Sequence, residues 1–284
     1  MSLVLQSHCK VNLLLNILGK REDDFHELET IIQPVPLYDE LRIELAGQGI
    51  ELTCSDSRLS VGQDNLVHRA ASLFLKKIEA NGIRIHLQKN LPLAAGIGAG
   101  SSNAAFTLRG LNELFNSPCS PDELQTMAAS LGSDVPFFLQ DNPALATGRG
   151  EQVKPLEPFA ALRGRGLLLI HPGFGVSTPW AYQALAAIPE AHGHEGQAVA
   201  MLQSLQAGEL HGFYNSLETP VFQKHTVLPV LKNFLTENGA LVALMSGSGS
   251  TTFAITNNRP DAEALRARYH GHFGQAGWSA TVAL

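Results

Sequence analysis

Cysteines, long apolar runs and a secretory leader are scarce or missing in this sequence. Three cysteines occur in 284 residues, at Cys9, Cys54 and Cys119, and no Cys-x-x-Cys pair is present. So few and widely spaced thiols indicate neither a disulfide framework nor a zinc ribbon, and a reducing cytosol fits them best. No apolar run approaches the roughly 20 residues that cross a bilayer. The chain does not open with a charged segment followed by an apolar stretch, so we expect a cytoplasmic protein without a membrane partner.

An excess of basic residues is also missing. The 20 lysines and arginines are outnumbered by 26 acidic residues, and the formal net charge is −6. The basic side chains are scattered, whereas a protein that binds nucleic acid normally carries a basic field or stripe. Nucleic acid is therefore not the expected partner. The 11 histidines do not show a metal-ligand spacing such as His-Glu-x-x-His.

The patterning that is present indicates a mixed fold of strands and helices. Hydrophobic residues make up 44% of the chain, which is enough for a sizeable core. Alternating apolar residues predict strands over 2–20, 28–36, 40–46, 50–53, 83–89, 167–171, 240–245, 251–256 and 277–282. Helical spacing predicts helices over 65–80, after Asn103, after Ser120-Pro121, and over 178–187, 195–205, 227–238 and 259–270, with Asp64 and Ser120 as N-caps. Strict βαβ alternation is absent, so the predicted fold class is α+β.

The length of the chain predicts two domains, at roughly 150 residues for each. The segment 141–166 is rich in glycine, proline and charge, and it is the candidate inter-domain region. We place the boundary inside it, which gives domains 1–155 and 156–284.

A glycine-rich segment is the strongest functional signal. Gly96, Gly98 and Gly100 lie between a predicted strand and a helix that opens with Ser101-Ser102-Asn103. Small residues let the backbone wrap around an anion, and the first amides of a helix point outward at the positive end of its dipole. Together these features favour a phosphate site over a flexible loop with a serine cap. No lysine follows the glycines as in a P-loop, and the third glycine of a dinucleotide fingerprint is missing.

Three further motifs each allow a structural and a functional interpretation. Asp134 follows a glycine turn and precedes an apolar stretch, so it could cap that turn or act as a general base. Lys10 leads into an alternating strand, where it is either exposed at an edge or buried beside an anionic partner. The segment 245–252 could be a Gly-Ser hairpin or a second backbone nest near phosphates. Aromatic residues such as Phe25 and Tyr182 could pack in the core or stack on a base.

Taken together, these motifs resemble those of the GHMP kinase superfamily, which includes galactokinase, homoserine kinase and mevalonate kinase. The segment from Leu91 to Asn103 resembles the superfamily's phosphate-binding motif, and Ser246 to Gly249 resembles its C-terminal glycine motif. Five further motifs narrow the resemblance to those members of the superfamily that phosphorylate a cytidine-diphospho sugar alcohol. They are Lys10-Val11-Asn12, Phe25-His26, Asn65-Leu66-Val67, Gly132 to Pro136 and His171-Pro172-Gly173.

This resemblance implies both a fold and a set of site residues. It implies an N-terminal ATP-binding domain like ribosomal protein S5 domain 2 and a ferredoxin-like C-terminal domain. It implies a catalytic pair, Lys10 and Asp134, and magnesium ligands, Ser101 and Ser102. The implied nucleotide-binding residues are Asn65, Pro92, Leu93, Ala94, Ala95, Gly96, Ile97, Gly98, Ala99, Gly100, Ser101, Ser102, Asn103, Gly247 and Gly249. The implied substrate-binding residues are Asn12, Phe25, His26 and Tyr182.

The implied activity is transfer of a phosphoryl group from ATP, with Mg²⁺, to the 2-hydroxyl of the cytidine-diphospho sugar alcohol in isoprenoid precursor synthesis. Two alternatives stay open: another GHMP kinase for homoserine or a mevalonate derivative, and a regulatory module that binds a nucleotide without chemistry. We expect a monomer or a weak homodimer. The chain departs from the usual motif at Ala94, Ala95 and Ala99, where glycines are common, and at Phe25, which replaces a common tyrosine.

Overall fold

Most of the predicted strands and helices are present in a computed structural model, which describes residues 2–80 and 82–284. The strands are β1 (Ser2–Lys20), β2 (His26–Leu45), β3 (Gly49–Cys54), β4 (Gly82–Gln88), β5 (Ala144–Thr147), β6 (Gln152–Pro155), β7 (Gly166–His171), β8 (Tyr214–Asn215), β9 (Val242–Met245), β10 (Thr252–Thr256) and β11 (Trp278–Ala283). The helices are α1 (Leu66–Ile78), α2 (Ala99–Leu114), α3 (Pro121–Leu131), α4 (Thr178–Leu185), α5 (Gln197–Gln206), α6 (Glu218–Lys224), α7 (Val227–Glu237) and α8 (Arg259–Phe273). Short 3-10 helices cover Pro136–Leu139, Ala160–Leu162 and Pro189–Ala191. The α+β class is therefore confirmed.

The chain forms two compact units that are not sequential blocks. The first unit takes in Met1–Cys9, Pro36–Leu91 and Gly98–Asp141, and the second takes in Lys10–Val35, Pro92–Ile97 and Asn142–Leu284. The predicted boundary between residues 155 and 156 stays a prediction.

The first unit is a sheet covered by helices. Its strand order is β3-β4-β2-β1, and α1, α2 and α3 pack against one another beside it. At Gly110 the helix α2 comes close to the sheet, because an added Cβ would lie 2.4 Å from Leu5 Cδ1 and 2.9 Å from Ile43 Cδ1. Glycine at this position therefore lets α2 lie close to the strands.

The second unit contains an antiparallel sheet of order β11-β7-β10-β9. Apolar residues of β7 and β10 pack against α7 and α8 in one buried cluster that includes Leu168, Ile170, Leu231 and Leu265. An antiparallel four-stranded sheet with helices packed on it is what the ferredoxin-like expectation requires. In the same unit β1 pairs in parallel with β8, and β2 and β6 pair antiparallel with β5.

Several local predictions were wrong. Residues 28–36 and 40–46 belong to the single strand β2, because the fixed φ of Pro34 and Pro36 is compatible with extended backbone. The N-cap of α1 is Asn65, whose side chain accepts from Val67 N, whereas the Asp64 side chain accepts from Ser60 Oγ. The segment 141–166 contains the hairpin β5–β6, which was not predicted, and its role as the inter-domain region stays a prediction. Strand β8 and helix α6 were not predicted.

Candidate active site

Strand β1 places Lys10 and Asn12 on the same face of the sheet, since side chains alternate along a strand. Both residues are 3% exposed. Lys10 Nζ donates to Asn12 Oδ1 at 2.6 Å and to the Gly96 carbonyl at 3.3 Å, and Lys10 N donates to the Ile97 carbonyl at 3.0 Å. Asn12 is held in turn because its Nδ2 donates to Thr30 Oγ1 at 2.8 Å. The lysine is therefore buried, not exposed at an edge, and its ammonium group lies against the Gly-rich segment.

The two glycine motifs meet at Gly96. Its φ is +77°, and a Cβ added there would lie 2.3 Å from the Ser246 carbonyl oxygen and 2.9 Å from that of Gly249. Ser246 Oγ donates to the Gly96 carbonyl at 3.0 Å, and Thr251 N donates to the Ala95 carbonyl at 3.2 Å. The segment after β9 is thus a hairpin connection, as one interpretation predicted, and it also packs directly on the first motif.

The alanines of the Gly-rich segment differ in conformation. Of these three described residues only Ala94 has a positive φ, at 51°. A left-handed conformation costs an L-residue roughly 1–2 kcal/mol. Ala99 is the first residue of α2, where alanine is favoured. The substitutions at Ala95 and Ala99 therefore introduce no left-handed strain, and that at Ala94 introduces a modest amount.

The N-terminus of α2 is open. Its N-cap is Gly98, which has a φ of 70° and carries no side chain that could cap the first amides. Ser102 is 0% exposed, and within residues 2–80 and 82–284 its Oγ has no hydrogen-bond partner. A buried hydroxyl without a partner is destabilising, so this position is suited to a ligand that hydrogen-bonds or coordinates it. Uncapped amides beside it are suited to an anion.

The start of α2 is suited to a Mg²⁺ ion that is held together with phosphate oxygens, and not to a metal ion held by protein ligands alone. In the described part of the chain, no group of three or more His, Cys, Asp or Glu residues could hold a metal ion. Mg²⁺ retains water and uses few protein ligands together with phosphate oxygens. The unpartnered Ser102 hydroxyl, with the half-buried Ser101 beside it, can supply such a ligand.

Two of the residues predicted to bind nucleotide also have structural roles. Asn65 caps α1, and its Nδ2 donates to the Ser60 carbonyl at 2.5 Å. Asn103 directs its side chain inward, where Nδ2 donates to Ser7 Oγ at 2.8 Å and to Asp39 Oδ2 at 3.0 Å. The free amides at the start of α2 come before it in the chain, since Ser102 N already donates to the Gly98 carbonyl at 2.9 Å.

Asp134 lies in the turn between α3 and the 3-10 helix Pro136–Leu139, and it is half-buried. The residues that follow it are buried, and Phe137 and Phe138 pack around the His8 ring. An apolar anchor of this kind fixes the turn that carries the carboxylate. Asp134 belongs to the first unit and Lys10 to the second, so their pairing stays a prediction.

The predicted base-recognition residues lie in the second unit. The rings of His26 and Tyr182 are 5.1 Å apart between centroids, and the Arg149 guanidinium lies 4.8 Å from the centroid of the Phe25 ring. Burial lowers the pKa of His26, and the nearby His192 and Lys20 lower it further. The imidazole is therefore neutral at pH 7. Its Nε2 is buried and has no hydrogen-bond partner in the described residues, so it can hydrogen-bond a ligand.

Sequence reasoning missed Asn215, which organises the second glycine motif. This residue is 2% exposed, and its Nδ2 donates to the carbonyls of Met245 and Gly247 at 2.7 and 2.8 Å. It lies on β8, which pairs with β1 beside Leu14 and Leu15. A two-residue strand has no hydrophobic period, so nothing in the pattern indicated that this asparagine was buried.

Comparison with known families agrees with this geometry. The family model for the N-terminal domain of GHMP kinases matches residues 65–142, and that for the C-terminal domain matches residues 200–275. The first match begins at the cap of α1 and runs through the Gly-rich helix and Asp134. Fold and site together define an ATP-dependent small-molecule kinase of the GHMP class.

Individual relatives narrow this class. The 4-diphosphocytidyl-2-C-methyl-D-erythritol kinase of Pelotomaculum thermopropionicum is 40% identical over 272 residues, which cover 93% of this chain and 92% of the relative. The enzyme of the same name from Syntrophus aciditrophicus is 41% identical over 260 residues, which cover 90% and 91%. The chain belongs to the GHMP kinase family and, within it, to the 4-diphosphocytidyl-2-C-methyl-D-erythritol kinases.

Solved structures give the same result. The crystal structure of a 4-(cytidine 5'-diphospho)-2C-methyl-D-erythritol kinase superposes with a TM-score of 0.82 at 35% identity, covering 99% of this chain and 100% of that one. A homoserine kinase from Cytophaga hutchinsonii superposes with a TM-score of 0.70 at 20% identity, which shows the shared fold alone. The predicted two-domain GHMP kinase fold is confirmed. Among the described residues, no helix is both long and apolar enough to cross a bilayer.

Proposed function

We propose that this protein transfers the γ-phosphoryl group of ATP to the 2-hydroxyl of 4-diphosphocytidyl-2-C-methyl-D-erythritol, a step of isoprenoid precursor synthesis. Relatives of that name match over nine-tenths of the chain or more. The observation that carries the proposal is the buried Lys10 ammonium group, which donates to Gly96 and Asn12 where the two glycine motifs meet.

The start of α2 supplies the phosphate contacts in this proposal. Backbone amides within the segment 96–102 hold the β- and γ-phosphates, as uncapped helix amides do for anions generally. Ser102, with Ser101, supplies hydroxyl ligands for Mg²⁺. When bound, the ion offsets negative charge on the phosphates. Phosphoryl transfer has a loose transition state, so these residues act by positioning and by charge.

Lys10 and Asp134 are assigned to the acceptor hydroxyl. Asp134 accepts the hydroxyl proton as the oxygen attacks phosphorus, and Lys10 keeps that carboxylate ionised and offsets charge on the transferring group. The second glycine motif, through Gly247 and Gly249, supports the same phosphates. Asn12 holds Lys10 in place and contacts the acceptor.

In this proposal, aromatic residues of the second unit recognise the cytosine of the acceptor. Phe25 and Tyr182 stack on the base, and the neutral His26 forms a hydrogen bond to it through the buried Nε2. A neutral imidazole can donate or accept at this atom, depending on its tautomer. Loss of the tyrosine hydroxyl at Phe25 leaves stacking intact.

The test is an ADP-coupled assay with an acceptor panel. We expect turnover with 4-diphosphocytidyl-2-C-methyl-D-erythritol and none above background with homoserine, mevalonate or no acceptor. Turnover with homoserine or mevalonate instead would establish one of the alternative kinases. Binding of ATP without turnover of any acceptor would establish the regulatory module.

A matched pair of variants on β1 tests the role of the buried Lys10 ammonium group. Lys10→Met removes the buried ammonium group and should lower kcat/KM by a factor on the order of 10²–10³, as loss of one preorganised charge donor does. Lys20→Met removes an exposed lysine of the same strand, whose ammonium group pairs with Asp24, and should leave kcat and the KM for ATP unchanged. Equal effects from both substitutions would contradict the role of Lys10.

Three further properties of the protein are proposed: its metal dependence, its location in the cell and its oligomeric state. We infer dependence on Mg²⁺, a cytoplasmic location and a monomer or weak homodimer. Loss of turnover with EDTA and recovery with Mg²⁺ would test the first. Light scattering over a range of protein concentrations would test the last.

A further inference from the structure

Asp39 is a buried carboxylate that lies between the predicted strands 28–36 and 40–46. It lies inside β2, and its side chain is 0% exposed. Its partner Lys89, just beyond β4, has a side chain that is 3% exposed, and Lys89 Nζ donates to Asp39 Oδ2. Charged residues are rarely buried so completely unless they are paired and hydrogen-bonded.

The two oxygens of Asp39 bind two separate stretches of chain. Oδ1 accepts from Asn90 N at 2.8 Å and from Leu91 N at 2.9 Å. Oδ2 accepts from Asn103 Nδ2 at 3.0 Å as well as from Lys89. Lys89 Nζ also donates to Asn103 Oδ1 at 3.3 Å, which closes a ring of three side chains.

These two stretches are the ends of the Gly-rich segment. Leu91 is the last residue before Pro92, and Asn103 follows the serines at the start of α2. One carboxylate therefore holds the entry of the segment through two amides and its exit through a side chain. Ser7 adds a further bond at the exit, since its Oγ accepts from Asn103 Nδ2 and donates to the Asp39 carbonyl.

We propose that Asp39 is a positioning residue for ATP, acting as a clamp that holds the two ends of the Gly-rich segment in the phosphate-binding arrangement before the nucleotide arrives. This inference rests on the proposed binding of ATP by that segment. Ordering a loop opposes binding through lost entropy, and a loop already ordered binds more tightly for that reason. Asp39 does not touch the phosphates in this account.

The test compares Asp39→Asn with Glu40→Gln. The first substitution keeps an oxygen for the entry amides but presents an NH₂ group to Asn103 and Lys89. The second removes a carboxylate charge from the next residue of the same strand, outside the ring of contacts described above. Asp39→Asn should weaken binding of a non-hydrolysable ATP analogue at least roughly ten-fold by calorimetry, whereas Glu40→Gln should change it less than about two-fold.

A readout independent of catalysis separates this role from a purely structural ion pair. In the nucleotide-free Asp39→Asn protein, hydrogen exchange should accelerate at residues 89–91 and 102–104 while the core strands stay protected. A folded variant with a lowered Tm, unchanged affinity for the analogue and unchanged exchange at both ends would overturn the proposal. Affinity for the analogue does not depend on which acceptor is phosphorylated, so the clamp and the assigned substrate can fail separately.

Two further measurements apply if Asp39→Asn does not fold. The double variant Asp39→Asn/Asn103→Asp exchanges the carboxylate and the amide and leaves Lys89 beside a carboxylate, so it should fold and bind the analogue more tightly than Asn103→Asp alone. In the unmodified protein without nucleotide, the amides of Asn90 and Leu91 should exchange as slowly as those of β4. Rapid exchange at these two amides would show that the clamp does not form.

Discussion

Replacement of Gly96 by alanine is the sharpest test of how the two glycine motifs fit together. The added methyl group would lie 2.3 Å from the Ser246 carbonyl oxygen and 3.0 Å from Gly249 N. Both are backbone atoms, so no side chain can rotate away from the contact. The Ser246 segment is itself restrained, because Asn215 donates to the carbonyls on either side of it.

The expected loss of stability has two parts. A left-handed φ of +77° costs alanine roughly 1–2 kcal/mol. Forcing a methyl group into a well-packed position costs typically another 1–3 kcal/mol. The sum is about 2–5 kcal/mol of unfolding free energy, and each kcal/mol lowers Tm by roughly 2–4 °C in a chain of this size. Movement of Ser246 away from Gly96 would also break the bond from Ser246 Oγ to the Gly96 carbonyl.

Gly100→Ala is the matched control within the same motif. Here the added methyl group meets Leu66 Cδ1 at 3.8 Å, an ordinary contact, inside helix α2. Alanine is favoured over glycine in a helix by roughly 0.5–1 kcal/mol, so Tm should stay the same or rise. Thermal unfolding and the KM for ATP of both variants decide the outcome. If Gly96→Ala were as stable and as active as Gly100→Ala, the packing of the two motifs described above would be wrong.

Four further outcomes are expected. Ser102→Ala should raise the KM for ATP yet raise apo stability by about 1 kcal/mol, because it removes a buried hydroxyl that lacks a partner; a lower Tm would contradict this. Asp134→Asn should lower kcat by roughly 10²–10⁴ without loss of Tm, and near-normal turnover would reject the base. His26→Ala should raise the KM for the cytidine substrate more than that for ATP, and equal effects would reject base recognition. Burial lowers the pKa of His8, His26 and His171 in the folded protein. Their contribution to stability is therefore fully present above the unfolded-state pKa of about 6.5 and declines as the pH falls below it. The urea midpoint should accordingly fall between pH 7.5 and 5.5, and an unchanged midpoint would contradict this.

The parts of the fold that follow from local periodicity could be predicted from sequence. Helix α3 is capped by Ser120 as predicted, and in the structure the Ser120 side chain accepts from Glu123 N while the Glu123 carboxylate accepts from Ser120 N. Strand β1 and helix α8 follow their apolar patterns to within a few residues. The Gly-rich segment was found because alternating glycines, two serines and a predicted helix start coincide there.

The residues that hold this segment in place left no such signal. Asp39 fell between the predicted strands 28–36 and 40–46, and its burial depends on Lys89 and Asn103, which are distant in sequence. Asn215 is likewise isolated in the chain and acquires its partners only in the folded state. Long-range polar contacts depend on which strands are neighbours, and periodicity does not contain that information.

The alanines and glycines of the motif show why composition alone does not determine whether such a segment works. Ala94 adopts a φ of 51° and is exposed, so a methyl group is accommodated there at a modest conformational cost. Gly96 has a similar backbone conformation, but its missing side chain is where the Ser246 carbonyl lies. Glycine is therefore required more strictly at position 96, where a tertiary contact adds to the cost of the left-handed φ. Alanine is accommodated at position 94, where its methyl group is exposed, whereas at position 96 the backbone of the second glycine motif occupies the space that a methyl group would need.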